Sequence, residues 1–391
     1  MNETKITNDL LDSWATDQQG PVALILRQRL LSVEGEEGED QIIYPPTYAD
    51  VGYNIDTLAD GTRVALIDSV GSQANRLEPA FKSDSGHALA GVVPQIDIVL
   101  RTEPCGKCDA CKKAKKPAAD KCENPWKEKR SLFDLAHRAA DAVVQSSPTL
   151  LPQVQAAFEE LRKTGNATPL ATIAPTSLVF GCWDSRGGSG EKLPRLVRSI
   201  IRAWDVDTLK SASQFNSIWK ALNEEQREAL KKALPKGKKL SEKGFNDAPA
   251  QGLGGIVVRD RIERHVTINL VALRAIVGSD KSGTKVLRQY LLGLSLLTAT
   301  TDIEMFLREG CNLRIADSKD DWKIVPRRGD KQPVDLNSDA AQKLLKEYVI
   351  TAYKPFEKAW KELNIEPEHS FDLKAAKELL GKTTEEEPQA S

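Results

Sequence analysis

The chain has 391 residues, 40% hydrophobic and 28% charged, which is enough apolar material for one large domain or two ordinary ones. That composition excludes a disulfide miniprotein, collagen and wholesale disorder. Its 55 Lys and Arg against 56 Asp and Glu leave a formal charge of -1, so any polyanion site must come from uneven placement of charge.

The start, Met1-Asn2-Glu3-Thr4-Lys5, lacks the apolar core of a secretion signal. The most apolar run, Leu291 to Ala299, is far too short to cross a bilayer. A cytoplasmic protein with no membrane partner is expected. Residues 1–47 read as an N-terminal segment whose acidic residues, Glu34, Glu36, Glu37, Glu39 and Asp40, mark an exposed loop. From residue 48 to 365 a single mixed α+β body is expected, and 366–391 reads as a C-terminal helix with a polar tail.

Val64-Ala65-Leu66-Ile67 is a short apolar run suited to a buried strand. Asp68 or Ser69 then caps a helix through Gln73, Asn75 and Leu77, which Pro79 closes. Residues 101–130 form a basic island of ten cations and five anions, followed by a helical stretch from Leu132 to Val144. Thr176 to Phe180 reads as a second strand, entering the glycine-rich loop Gly181 to Gly190. A helix is expected from Pro194, with Arg195, Arg198 and Arg202 spaced three and four apart on one face.

Residues 227–250 read as a lysine-rich, mobile linker. Alternation from Gly255 to Leu273 is the clearest strand signal, with Val258, Ile262, Val266 and Ile268 on one side and Arg259, Arg261 and His265 on the other. Lys285 to Thr298, Asp302 to Glu309 and Ala340 to Leu363 read as helices.

Cys105, Cys108, Cys111 and Cys122 are the most specific local chemistry. Four thiolates on one short loop close a tetrahedral site, and nearby lysines offset its negative charge, so a structural zinc ion is expected. Full cysteine ligation leaves no open position for catalysis. The spacing is also similar to the structural zinc lobe of medium-chain alcohol dehydrogenases. An iron–sulfur run would want its fourth cysteine much sooner. Cys182 and Cys311 are read as structural.

The glycine groups match neither a dinucleotide fingerprint nor a Walker loop, and four histidines give little material for a catalytic triad. The glycine loop before Arg195 and Arg198 instead offers a phosphate cradle. Arg259, Arg261 and His265 can track a sugar–phosphate backbone.

The blocks Ala65 to Glu78, Ser177 to Gly188, Arg195 to Val206 and Gly252 to Ala275 resemble the CRISPR-associated RAMP backbone subunit of type I-G (formerly I-U) Cascade complexes, the seventh Cas family. The resemblance runs from about residue 48 to 365. It implies a modified RRM, or ferredoxin-like, palm with a β-hairpin thumb and helical additions, into which the cysteine lobe is inserted. It also implies a non-enzymatic subunit that binds guide RNA (crRNA) by its backbone and presents it for pairing with target DNA. Copies would stack head to tail in a helical filament beside other Cascade subunits, a fused subunit akin to the fifth and sixth Cas families and a large subunit. By matched position the guide would meet Ser69, Gln73, Asn75 and Arg76, then Ser185, Arg186, Arg195, Arg198 and Arg202, and finally Arg259, Arg261 and His265. A rival is a metal-dependent ribonuclease of the type III kind, with Asp84 or Asp184 as the carboxylate. A zinc-lobed oxidoreductase is a third reading.

Overall fold

The computed structural model describes residues 3–87, 89–114, 116, 118–183, 192–213, 218–235, 237–240 and 250–382. The N-terminal part contains β1 (Thr4–Lys5), α1 (Asn8–Thr16), β2 (Ala23–Ser32), β3 (Gln41–Ile43), β4 (Ile55–Thr57), β5 (Arg63–Asp68) and α2 (Val70–Leu77). Next come β6 (Asp97–Glu103), α3 (Asp109–Lys113), β7 (Trp126–Ser131), α4 (Ala142–Gln145), α5 (Leu151–Thr164), α6 (Thr168–Ile173) and α7 (Thr176–Val179). The long strands β8 (Val197–Ser213) and β9 (Ala250–Asn269) flank α8 (Glu224–Ala233) and lead to α9 (Leu270–Ala275) and α10 (Lys281–Ala299). The chain ends with β10 (Phe306–Arg308), β11 (Cys311–Ile315), β12 (Lys323–Val325), β13 (Gln332–Asp335), α11 (Asp339–Glu362), β14 (Glu368–Ser370) and α12 (Leu373–Lys382). The molecule is therefore α+β.

Its centre is the antiparallel run β12-β2-β9-β8-β5. From Arg261 to Asn269 the burial of β9 alternates with a period of two. Leu24, Leu26 and Leu30 of β2, Ile262, Val266 and Ile268 of β9, and Val197, Ile201 and Ala203 of β8 are buried on one face. The apolar helix α10, buried from Tyr290 to Ala299, packs into the larger cluster on that face. The opposite face carries Arg27, Arg198, Arg202, Arg261 and His265, exposed or half-buried.

A polar row divides the buried face into two apolar clusters. Gln28 stands between Leu26 and Leu30, Ser199 between Val197 and Ile201, and Arg264 between Ile262 and Val266. Arg264, 1% exposed, donates to Gln28 Oε1 at 3.0 Å and, through Nε, to Ser199 Oγ at 3.0 Å and Gln73 Oε1 at 3.2 Å. Burial pulls its guanidinium down to about 10. Gln73 in turn donates to Asp68 at 2.6 Å. Unpaired polar groups at this depth would each cost about 1–3 kcal/mol. The row runs on through Gln28, which donates to Asp320 at 2.6 Å, and leaves Arg264 Nη2 without a hydrogen-bond partner among the described residues.

Several expectations fail here. The helix expected from Pro194 is strand β8, because Val197, Ile200, Ile201 and Trp204 are β-formers and β9 pairs them residue by residue. The strand expected at Thr176–Phe180 is helix α7, buried on all sides, which a short apolar run cannot distinguish from a strand. Residues 132–144 fold as two 3-10 turns and the start of α4 rather than one helix, and Phe306–Arg308 within 302–309 is strand. Strand β2, within the expected 1–47 segment, pairs with β9 in the central sheet. The 227–250 linker includes part of α8, opened by an Asn223–Gln226 capping box; residues 241–249 lie outside the described residues.

The cysteine island lies between β6 and β7 of a three-stranded sheet in the order β14-β6-β7. Among the described residues, no helix is long and apolar enough to cross a membrane.

Candidate nucleic-acid interface and metal centre

Strand β5 ends at Asp68, and Ser69 accepts a hydrogen bond from Ser72 N to start α2. Ser69 thus works as a helix cap. Residues 71 and 75, four apart, share one face of α2 and line a cleft of about 750 Å³ with Trp183, Lys192, Arg195 and Arg198. Thr267 and Asn269 complete the wall from β9, and Thr267 is the cross-strand partner of Arg198. His137 and Arg138 close the other side. Among the described residues, the lining holds no carboxylate. Lys192, Arg195 and Arg198 have no ionic partner among the described residues, whereas Arg138 is neutralised by Glu78. Arg195 is held below its ordinary pKa by partial burial and by Arg138 and Arg198 beside it. Such crowding of like charges is what an incoming anion relieves.

The loop that borders this cleft is tied at both ends. Leu193 N donates to Cys182 O at 2.9 Å, and Trp183 and Lys192 form an antiparallel bridge. Gly181 has φ +74, and a Cβ there would lie 2.7 Å from Leu193 O, so only glycine lets the two legs meet. Arg138 Nη1 donates to Gly181 O at 2.9 Å from below.

The expected site residues therefore separate. Asn75, Arg195 and Arg198 converge on the cleft. Arg202 follows Arg198 on the open face of β8, half-buried and without an ionic partner among the described residues. Gln73 is fully buried in the Arg264 row, and Arg76 pairs with Asp68 at 3.0 Å and donates to the carbonyl of Leu307. Their roles are to hold α2 on the sheet. Arg259 is paired with Asp207 at 2.7 Å, Arg261 with Asp260 and Glu263, and His265 with Glu263 at 2.7 Å. Arg261 and His265 lie in the body of the sheet, against Trp204. The part of the β8–β9 ribbon that runs past the end of β2 is 206–213 with 250–258. Ser185, Arg186 and Asp184 lie outside the described residues. Asp84 sits exposed in a turn and is not part of the cleft.

Sequence reasoning missed Trp183, Lys192 and His137. Lys192 carried a signal, being the last cation before the Arg195 series; His137, in the cleft wall, is exposed. A second cavity of about 680 Å³, between α1, α10 and α11, contains Asp12 and Glu347 and does not suit a polyanion.

In the lobe, the sulfurs of Cys105, Cys108, Cys111 and Cys122 all lie within 4.8 Å of one another, with Cys105–Cys111 at 4.0 Å and Cys108–Cys122 at 3.8 Å. Tetrahedral metal–sulfur bonds of about 2.3 Å put the corners roughly 3.8 Å apart. Amides of Lys107 and Cys108 donate to Cys105 Sγ, both at 3.4 Å, and draw its thiol down to about 6. These four cysteines can hold a metal ion. Cys182 and Cys311 are buried away from them.

Residues 24–208 match the model of a family described as CRISPR-associated protein GSU0053 (Cas_GSU0053), which marks the chain as a CRISPR-associated protein. The matched stretch runs from β2 into β8 and takes in α2, the cysteine lobe and most of the cleft. No curated protein matches the chain.

Proposed function

We propose that this CRISPR-associated chain is a guide-RNA-binding backbone subunit of a type I-G interference complex. It acts without catalysis, holding the guide by its phosphates and displaying the bases to target DNA. The observation that carries the reading is a cleft in which, among the described residues, Arg195, Arg198 and Lys192 stand without ionic partners and no carboxylate lines the wall. A spacer differs in every guide, so the grip has to ignore sequence, and cations with main-chain amides provide that.

The sheet order supports the palm. In the run β12-β2-β9-β8, the last strand lies beside the first, then the third, then the second, all antiparallel. That is the arrangement of a ferredoxin-like or RRM sheet, with α10 as its second crossover and the segment 70–196 inserted as the first. The extended end of the β8–β9 ribbon is the thumb in this reading. Repeated head-to-tail contact along one guide yields a filament, because a heterologous contact that does not close propagates. The four cysteines hold zinc and knit the lobe, with no reaction at the metal.

Fluorescence anisotropy with two unrelated single-stranded RNAs of one length tests the grip. Equal affinities that fall together with salt are expected. Strong preference for one sequence, or no binding, contradicts the proposal. Of the carboxylates in the ribonuclease reading, Asp84 is not part of the cleft and Asp184 lies outside the described residues.

A further inference from the structure

Phosphate alone would not need an indole. We infer that Trp183 is a nucleobase-stacking residue and that the cleft grips a whole nucleotide, phosphate and base, in a sequence-tolerant way. The inference rests on the polynucleotide reading above and adds a second ligand group to it.

The chain has seven tryptophans, and six have evident roles. Trp14 and Trp322 are core residues, each 1% exposed, and Trp360 packs against the same core. Trp126 lies under Arg101, Trp204 under Arg261 and beside His265, and Trp219 near Arg227 and Lys231. Trp183 differs. It is 53% exposed, lines the cleft, and has no ring or cation partner among the described residues.

Its backbone is also held in place. The bridge to Lys192 and the Cys182–Leu193 hydrogen bond hold its backbone, and Arg138 anchors Gly181 two residues before. An indole that lines the same cleft as Arg195 and Arg198 offers a π face to a nucleotide whose phosphate those cations would hold. Every base has a π face, so stacking adds affinity without reading sequence. The cleft, at about 750 Å³, falls in the size range of small-ligand sites and has room for one nucleotide. Asn75, exposed on α2, offers the edge of that base both a donor and an acceptor.

The test compares a single-stranded RNA dodecamer with an abasic oligomer of the same length, which keeps every phosphate and removes every base. Trp183→Ala should weaken RNA binding by about tenfold or more, as loss of one stack does, while shifting the abasic ligand by less than about twofold. Trp183→Phe should restore most of the RNA affinity. Arg195→Glu with Arg198→Glu should weaken both ligands. Equal loss on both ligands for Trp183→Ala, or no loss on either, overturns the stacking role. If the unaltered protein binds neither ligand, the polynucleotide reading itself fails, and that outcome is separate from the former two.

Discussion

Glu78 and Arg138 form a bidentate ion pair in the interior, Nε to Oε1 at 2.8 Å and Nη2 to Oε2 at 2.7 Å, with side chains 0% and 3% exposed. The pair joins the end of α2 to the floor of the cleft, since the same guanidinium holds Gly181 O. Arg138 keeps a left-handed backbone, φ 55, to do so.

Burial outweighs the attraction of Arg138 and lifts the Glu78 carboxyl from an ordinary 4.5 to about 7. The folded state therefore holds this proton more tightly than the unfolded chain. Its stabilising contribution is complete below about 4.5 and is lost as pH rises through about 7. Denaturant titrations of the unaltered protein and Glu78→Gln should show the wild-type advantage shrinking over that window. An advantage that grows with pH contradicts this.

Gln73 and Asn75 lie two residues apart on α2 and should behave oppositely. Gln73→Leu leaves Asp68, Ser199 and Arg264 short of a partner and should cost about 1–3 kcal/mol of stability, with RNA affinity of the folded fraction unchanged. Asn75→Ala should leave the melting temperature in place and weaken RNA binding. Calorimetry and anisotropy on both variants decide between the roles, and the reverse pattern refutes the assignment.

That contrast shows what the sequence could and could not convey. The Ser69 cap, α2 and β9 were legible because capping and alternation are local. β8 was not: Arg195, Arg198 and Arg202 repeat at helical spacing, and only pairing with β9 shows that Arg198 and Arg202 share the open face of a strand. The cleft joins Asn75 to Trp183 and Arg198, residues far apart in the chain, so no local pattern announces it. The same limit hid the buried fate of Gln73, whose partners Ser199 and Arg264 arrive from two other strands.

Unpaired and paired arginines should also separate in salt dependence. Arg195→Glu with Arg198→Glu should lower the slope of log affinity against log salt by about 0.7 for each lost phosphate contact. Arg259→Glu, at a cation already neutralised by Asp207, should change the slope much less. Equal effects would move the site away from the cleft.

Metal analysis of carefully prepared protein should find about one zinc per chain, and Cys108→Ser should lose it and unfold the lobe. The central sheet should keep its hydrogen-exchange protection, because the lobe stands on a separate three-stranded sheet. Iron in place of zinc, or collapse of the whole fold, contradicts this arrangement.

The most direct measurement of the central claim is the nucleic acid that travels with the protein. The chain, expressed with its natural companions and a repeat–spacer array, should purify with RNA of many spacer sequences, released by ribonuclease and lost from the Arg195→Glu, Arg198→Glu protein. Nucleic-acid-free protein from that same expression would contradict the account.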